Sequence, residues 1–280
     1  MTSSRKGAFL AAPALWAYRA FRRSGALDHP WGRKLFLASY FRYKRYFEDS
    51  FAGLVALHPN LFRGGHILDI GANVGYTTEI FSKAVDAEFR VFAFEPEEGN
   101  FQALLERFAE HPFVETLPCA VGDRDGTAEL WINADHPGDH RIVTPHLRES
   151  LARVESIPAR MVRIDSFAVE RGISKSVRFV KIDVQGHELS VCRGMTRVLE
   201  ESRPVVALEY APDNLAKAGA SVADLIDLMA EQRYVPFLIG GRGALSPTDG
   251  VALKESVTAE DYRDLLFLSE KDRALIVAES

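Results

Sequence analysis

Only two cysteines occur in 280 residues, Cys119 and Cys192, far apart and without C-x-x-C spacing or a neighbouring histidine cluster. That pattern excludes a disulfide framework and gives a zinc site no support, so each reads as a small buried hydrophobe. The chain also lacks G-x-G-x-x-G and G-x-x-x-x-G-K-[ST]. Neither a dinucleotide cradle nor a P-loop is therefore expected, and an NAD-dependent oxidoreductase is disfavoured. No apolar run approaches the roughly twenty residues that span a bilayer. The stretch Ala8–Ala17 is short, broken by Pro13, and followed by Arg19, Arg22 and Arg23 instead of a small-residue cleavage site. A cytoplasmic location is the expectation. No internal repeat or low-complexity block appears.

With 47% apolar and 26% charged residues, the chain can bury one large α/β core. Its net charge of −5 hides an asymmetry. Residues 1–50 carry ten Lys or Arg against three Asp or Glu, a balance of +7, and the remaining 24 against 36 leave −12. Phe36, Tyr40, Tyr43, Phe47 and Phe51 recur at helical spacing inside this basic arm. Residues 1–60 are set apart as the arm and 61–280 as the main domain. An aromatic stripe docked on the core is the plain reading of the arm. A lid over a substrate and peripheral contact with an anionic membrane are its alternatives. Nucleic acid fits poorly, because the rest of the chain is acidic and no recognition motif accompanies the arm.

His66–Tyr76, reading HILDIGANVGY, is the most informative stretch. Ile67, Leu68 and Ile70 make a buried strand, Gly71 and Gly75 let the backbone approach a ligand, and Asn73 tolerates positive φ. The following helix start offers N–H groups. The next apolar strand, Arg90–Glu95, ends in a carboxylate 24 residues after Gly71, where an acid can accept both hydroxyls of a ribose. A strand-end acid, an open glycine turn and no phosphate-binding lysine suit a ribose with a positive, phosphate-free tail. S-adenosylmethionine meets that description.

Two later segments, AVGD ending at Asp123 and KIDVQGHE ending at Glu188, complete an ordered set with DIGANVG and AFEP. In that order the motifs resemble the FkbM family of S-adenosylmethionine-dependent methyltransferases, and the likeness extends to Arg203–Glu209. The resemblance implies a Rossmann-like class I methyltransferase fold and a cofactor site of Asp69, Gly71, Ala72, Asn73, Gly75, Glu95, Pro96, Gly122 and Asp123. It places Glu95 on the ribose, Asp123 on the adenine amino group, and Gly71–Gly75 beneath the methionine part. Gln185 departs from the pattern, since the family usually has glutamate there, so any metal-binding or base role of that carboxylate moves or is lost here.

Apolar runs alternate with helical ones, which predicts an α/β fold: a mostly parallel, seven-stranded sheet with helices on both faces and an antiparallel C-terminal hairpin. A helix starts at Pro96 with Phe101, Leu104, Leu105 and Phe108 as its buried stripe. Val114–Val121 reads as the third strand, Thr127–Asn133 as an edge strand, and residues 134–150 as an insertion or mobile loop. Val177–Val184 is the fourth strand, Glu188–Leu199 a helix and Val205–Tyr210 the fifth strand. Ser221 opens another helix, and Val235–Ile239 with Leu265–Leu268 forms the final pair.

Ligands of such sheets bind beyond the carboxyl ends of the strands, which gathers Asp69, Glu95, Asp123, Asp183 and Glu209 around one crevice. Methyl transfer from a sulfonium to a hydroxyl needs alignment and removal of a proton. Asp183 is the first candidate for that task and His187, at a helix start, the second. Glu209 and Glu188 are placed to support them by sharing a proton or a divalent ion, and no metal is assigned. Lys181, on the same strand face as Asp183, reads as a structural ion pair. The resemblance implies an O-methyltransferase acting on a sugar hydroxyl of a glycan or glycolipid. The alternatives are a polyketide-like acceptor and a catalytically silent cofactor-binding protein.

Overall fold

The computed structural model describes residues 29, 50–133, 138–150, 155–256, 258 and 262–278. Most of the basic arm, including Phe36, Tyr40, Tyr43 and Phe47, lies outside the described residues. Its last aromatic, Phe51, begins the helix α1 (Ser50–Leu57) and meets Phe81 edge-on at 5.8 Å. Among the described residues no helix is long and apolar enough to cross a membrane.

The central sheet is built from β1 (His66–Ile70), β2 (Val91–Phe94) and β3 (Val114–Leu117). β4 (Ala120–Val121), β5 (Gly126–Trp131), β6 (Arg141–Ile142) and β7 (Ser156–Val162) leave it, and the chain returns with β8 (Val177–Ile182) and β9 (Val205–Tyr210). β10 (Val235–Ile239), β11 (Leu245–Pro247) and β12 (Arg263–Leu268) complete it. The strand order is β11-β10-β12-β9-β8-β1-β2-β3. The five strands from β9 to β3 run parallel, while β12 is antiparallel to both β9 and β10. The sheet therefore has eight strands and not seven, because Leu245–Pro247 adds an antiparallel edge to β10.

Alternation of side chains explains the layers. Leu68, Phe92 and Val180 join one apolar cluster, while their neighbours Ile67, Val91 and Phe179 join another on the opposite face. The second face is covered by α1, α2 (Tyr76–Ala84) and α3 (Glu98–Phe108) through Leu54, Phe81 and Leu104. The helix α4 (Pro145–Ser150) belongs to the inserted segment. α5 (Ile164–Glu170), α6 (Glu188–Arg193), α7 (Thr196–Glu201), α8 (Pro212–Lys217) and α9 (Val222–Glu231) supply Phe167, Leu189, Val198, Leu215 and Leu225 to the first face. Each fully buried large side chain contributes about 1.5–3 kcal/mol. Two short helices, α10 (Gly250–Glu255) and α11 (Glu270–Ala278), follow.

Local chemistry accounts for several boundaries. Glu97 caps α3 by accepting the Asn100 N–H at 2.6 Å, so this helix begins two residues after Pro96. Phe101, Leu104 and Phe108 are buried, whereas Leu105, at the margin of that face, is 40% exposed. Ser221 caps α9 through the Asp224 N–H. The expected helix 188–199 is two helices, because Gly194 packs on the Gly122 carbonyl and the chain breaks there.

The expected third strand also divides. Pro118 has no N–H to continue the ladder, and Val114–Leu117 stays in the main sheet while Ala120–Val121 pairs with β7. A second sheet of order β4-β7-β5-β6 results. Within it β5 lies between β7 and β6, so Thr127–Trp131 is an interior strand and not an edge. Much of the supposed loop 138–150 is ordered as β6 and α4. Cys119 and Cys192 are both buried, and burial pushes their thiols up to about 11 and about 12, as expected of inert packing residues.

Candidate active site

The chain leaves β1 through a turn with positive φ at Gly71, Asn73 and Gly75. The N–H groups of Gly71 and Ala72 both donate to the Phe94 carbonyl, at 3.0 and 2.9 Å, which stitches the turn to the end of β2. Gly71 packs against the backbone of Asp183, and Gly75 against Leu104 and Phe108, so the protein's own packing excludes a side chain at both. Asp69 is fully buried and turned inward. Its Oδ2 accepts the hydroxyls of Thr77 and Thr78 at 2.9 and 2.7 Å, which holds the first turn of α2. Its Oδ1 lies 3.5 Å from Lys181 Nζ. Through these contacts Asp69 supports the turn from beneath.

Lys181 works as the sequence suggested, as a buried structural cation. Its Nζ donates to the Gly71 carbonyl at 3.0 Å and stands 3.3 Å from Asp183 Oδ2. One ammonium thus ties β8 to the turn and to the carboxylate at the strand end.

Glu95, one residue beyond β2, accepts the Asn73 N–H on Oε2 at 2.9 Å and the Glu97 N–H on Oε1 at 3.0 Å. Burial raises its pKa to about 7 in spite of these two bonds, and the Glu97 charge adds to the rise. A carboxylate offers about four acceptor positions, so both oxygens keep capacity for a vicinal diol. Pro96 beside it is half-buried. No Lys or Arg lies between Gly71 and Gly75 to match a phosphate. The only cation placed on the turn among the described contacts is the buried Lys181 ammonium, which its own carboxylate and carbonyl partners engage.

Gly122 and Asp123 are displaced from the expected place, since β4 belongs to the second sheet. Gly122 is buried against Met161 and His187. Asp123 is exposed, accepts an ion pair from Arg124 at 3.7 Å, and its N–H donates to Ser190 Oγ at 3.1 Å. It therefore sits over the start of α6.

The end of β8 carries the densest chemistry. Gln185 has a positive φ of 54° and donates from Nε2 to both Asp183 Oδ1 and Glu209 Oε2, each at 3.1 Å. Its Oε1 accepts from Asn214 Nδ2 at 3.2 Å, and Asn214 Oδ1 accepts from Arg141 Nη2 at 3.1 Å. Glu209 also accepts the Tyr262 hydroxyl at 2.7 Å. Burial, reinforced by Asp183 and Glu188, holds Glu209 well above the usual carboxylate range. Glu188 is fully buried, with Oε1 accepting the N–H groups of Val184 and Gly186, and burial raises it to about 7. Among the described residues no group of three His, Cys, Asp or Glu is arranged to hold a metal ion.

His187 precedes α6. Its Nε2 is buried without a hydrogen-bond partner among the described residues, and burial lowers its pKa to about 4. The ring joins Arg141, Gln185 and Asn214 in lining a narrow cleft, bordered on its apolar side by Ile142, Leu147 and Ala218. The structure brings Asp183 and Glu209 together through Gln185, sets His187 beside Gly122 and along the same cleft as Gln185, and places Glu95 with the Asn73 turn. Arg141, Asn214 and Tyr262 were not singled out in the sequence. Asn214 had a signal, its place just past a strand end, while Arg141 comes from the insertion, where no pattern marked it.

Residues 69–236, more than half of the chain, match the family model of the methyltransferase FkbM domain. The chain is 27% identical over 180 residues to the hexuronic acid methyltransferase AglP of Haloferax volcanii, which covers 62% of this chain and 69% of that protein. It is 24% identical over 144 residues to Methyltransferase 1 of Beauveria bassiana, covering 46% and 57%. Among solved structures, a methyltransferase FkbM from Methylobacillus flagellatus aligns with a TM-score of 0.46 at 18% identity, over 84% of this chain and 52% of that one. The chain thus spans little more than half the length of the last two.

Proposed function

The chain belongs to the FkbM methyltransferase family, a group with the class I, S-adenosylmethionine-dependent fold, and on that premise we propose that it methylates a hydroxyl of a sugar in a glycan or glycolipid. When bound, S-adenosylmethionine supplies a methyl group on a positively charged sulfur. Glu95 would hold its ribose hydroxyls, and the Gly71–Gly75 turn would pass beside its tail. Asp123 is kept as a candidate for the adenine edge.

The observation that carries the acceptor reading is the pocket at the end of β8. Arg141, Gln185, His187 and Asn214 place polar side chains along it, which supports a hydroxylated acceptor over a polyketide-like one, for which a roomier apolar pocket is expected. The relative from Haloferax volcanii, named for a hexuronic acid, supports the same class. Asp183, with its side chain 34% exposed, is the carboxylate open to the acceptor and takes the hydroxyl proton as the new bond to oxygen forms. His187 stays neutral and shapes the cleft wall with its ring, because a base with a pKa near 4 holds a proton poorly at neutral pH. Glu209, whose pKa burial raises well above the usual carboxylate range, supports Asp183 through the Gln185 amide that both accept from.

Incubation with methyl-labelled donor and separated pools of glycans, glycolipids and apolar metabolites tests this reading. Label is expected in the carbohydrate pools and is expected to vanish with Asp183→Asn. Label confined to apolar metabolites overturns the sugar assignment, and donor binding with no turnover on any pool would leave a silent binder.

A further inference from the structure

We propose that Gln185 is a positioning residue for methyl transfer, its side-chain amide bridging Asp183 and Glu209 so that the two carboxylates stay oriented with no cation between them. The proposal rests on the reading of Asp183 as the group that faces the acceptor. Its basis is the chain of side chains that crosses from the second sheet to the two strand ends.

The direction of that chain is fixed by chemistry. Arginine has only donors, so Asn214 must present its oxygen to Arg141 and its nitrogen to Gln185. Gln185 must then offer its oxygen to Asn214, which turns both amide hydrogens toward Asp183 and Glu209. Both Gln185 amide hydrogens and both amide oxygens are thus engaged, and a flip of either amide would set like groups against each other.

The backbone is built to hold this arrangement. Gln185 occupies the left-handed region, which is unfavourable for a non-glycine residue, and such conformations persist where surrounding structure enforces them. Glu188 enforces it from one side by accepting the N–H groups of Val184 and Gly186. Gly186 enforces it from the other, since a Cβ there would lie 2.3 Å from the Asn214 carbonyl oxygen. The same contact keeps Asn214 in reach of the amide.

Neutrality is the property that matters. Around the amide stand Asp183, Glu188, Glu209 and Asp264 as acids, Lys181 and Arg141 as cations, and His187 and Tyr262 as neutral partners. A glutamate at position 185 would set carboxylate oxygens against Asp183 and Glu209, and the group would then need a proton or a divalent ion.

The test compares Gln185→Ala, Gln185→Glu and Asn214→Ala with the wild-type full chain. Turnover is followed on the carbohydrate pool that accepts label, and Mn²⁺ binding by calorimetry. Gln185→Ala and Asn214→Ala are expected to lower kcat about tenfold or more while KM for S-adenosylmethionine stays within about twofold. Gln185→Glu, which is isosteric, is expected to shift the pH–rate profile to the acid side, where a protonated Glu again donates, and to bind Mn²⁺ that the wild type does not. Wild-type kcat and pH profile in Gln185→Ala overturn the proposal. If that variant does not fold, Gln185→Glu decides, and an unchanged pH profile with no Mn²⁺ binding overturns it equally. Should no pool accept label, the sugar reading fails, while the Mn²⁺ comparison still decides the bridge.

Discussion

A Cβ placed on Gly71 would lie 1.9 Å from the carbonyl oxygen of Asp183. The turn after β1 and the end of β8 are therefore in backbone contact, and the residue nearest the proposed cofactor site is locked to the residue proposed to meet the acceptor. Gly71→Ala meets both this clash and a φ of +78°, so a loss of about 2–5 kcal/mol is expected in urea unfolding. A midpoint equal to the wild type's would show that the two segments do not touch.

Glu95 connects cofactor affinity to pH. Its carboxyl is raised to about 7, and only the ionised form has every lone pair available for two ribose hydroxyls. Affinity for S-adenosylhomocysteine should therefore tighten as pH rises through about 7, and Glu95→Gln should weaken it about tenfold on the alkaline side. Calorimetry on either side of neutrality measures both. Affinity independent of pH and of the substitution counts against Glu95 as the ribose ligand.

Glu188 makes a stability prediction of definite sign. Its folded pKa of about 7 lies above the ordinary 4.5, so between those values the folded chain holds a proton that the unfolded chain has released. Stability from this group is full below about 4.5 and falls as pH rises toward 7, by an amount on the order of 1–3 kcal/mol. Glu188→Gln removes the titration, and thermal unfolding across that window should show a flatter slope. A slope identical to wild type would place the titrating group elsewhere.

Lys181 lies buried between Asp69 and Asp183. Lys181→Met strands the fully buried Asp69 charge, and a loss of about 3–5 kcal/mol is expected. The companion change Asp69→Asn should recover part of that loss in a double-mutant cycle. Strict additivity would mean that the ion pair carries no coupling.

His187, lowered to about 4, should leave no limb near 6.5 in the pH dependence of kcat at saturating donor. His187→Gln preserves most of the ring's volume and should retain more turnover than His187→Ala. A wild-type limb near 6.5 that disappears in His187→Gln would show that the ring titrates in the open, against the burial observed.

Much of this was legible in the chain itself. The run Ile67–Ile70 followed by glycines and Asn73 specified a strand and a turn, because only such residues satisfy buried parallel pairing and then positive φ. The glutamate closing β2, the ion pair of Lys181, and the inward face of Val222, Leu225, Ile226 and Met229 followed from spacing of two or of about 3.6. Local periodicity is encoded in neighbours, so it can be read from neighbours.

What the sequence alone determined is thus the parallel core and the order of its motifs. Tertiary structure decided where the insertion goes, with Pro118 diverting the chain into a second sheet, and that sheet brings Arg141 beside Asn214 and Gln185. It also decided which acids reach solvent, since Asp69 and Asp183 both belong to motifs, yet Asp69 is fully buried and Asp183 only partly so. These outcomes depend on contacts between residues tens of positions apart, and on the desolvation those contacts impose, which no local pattern contains.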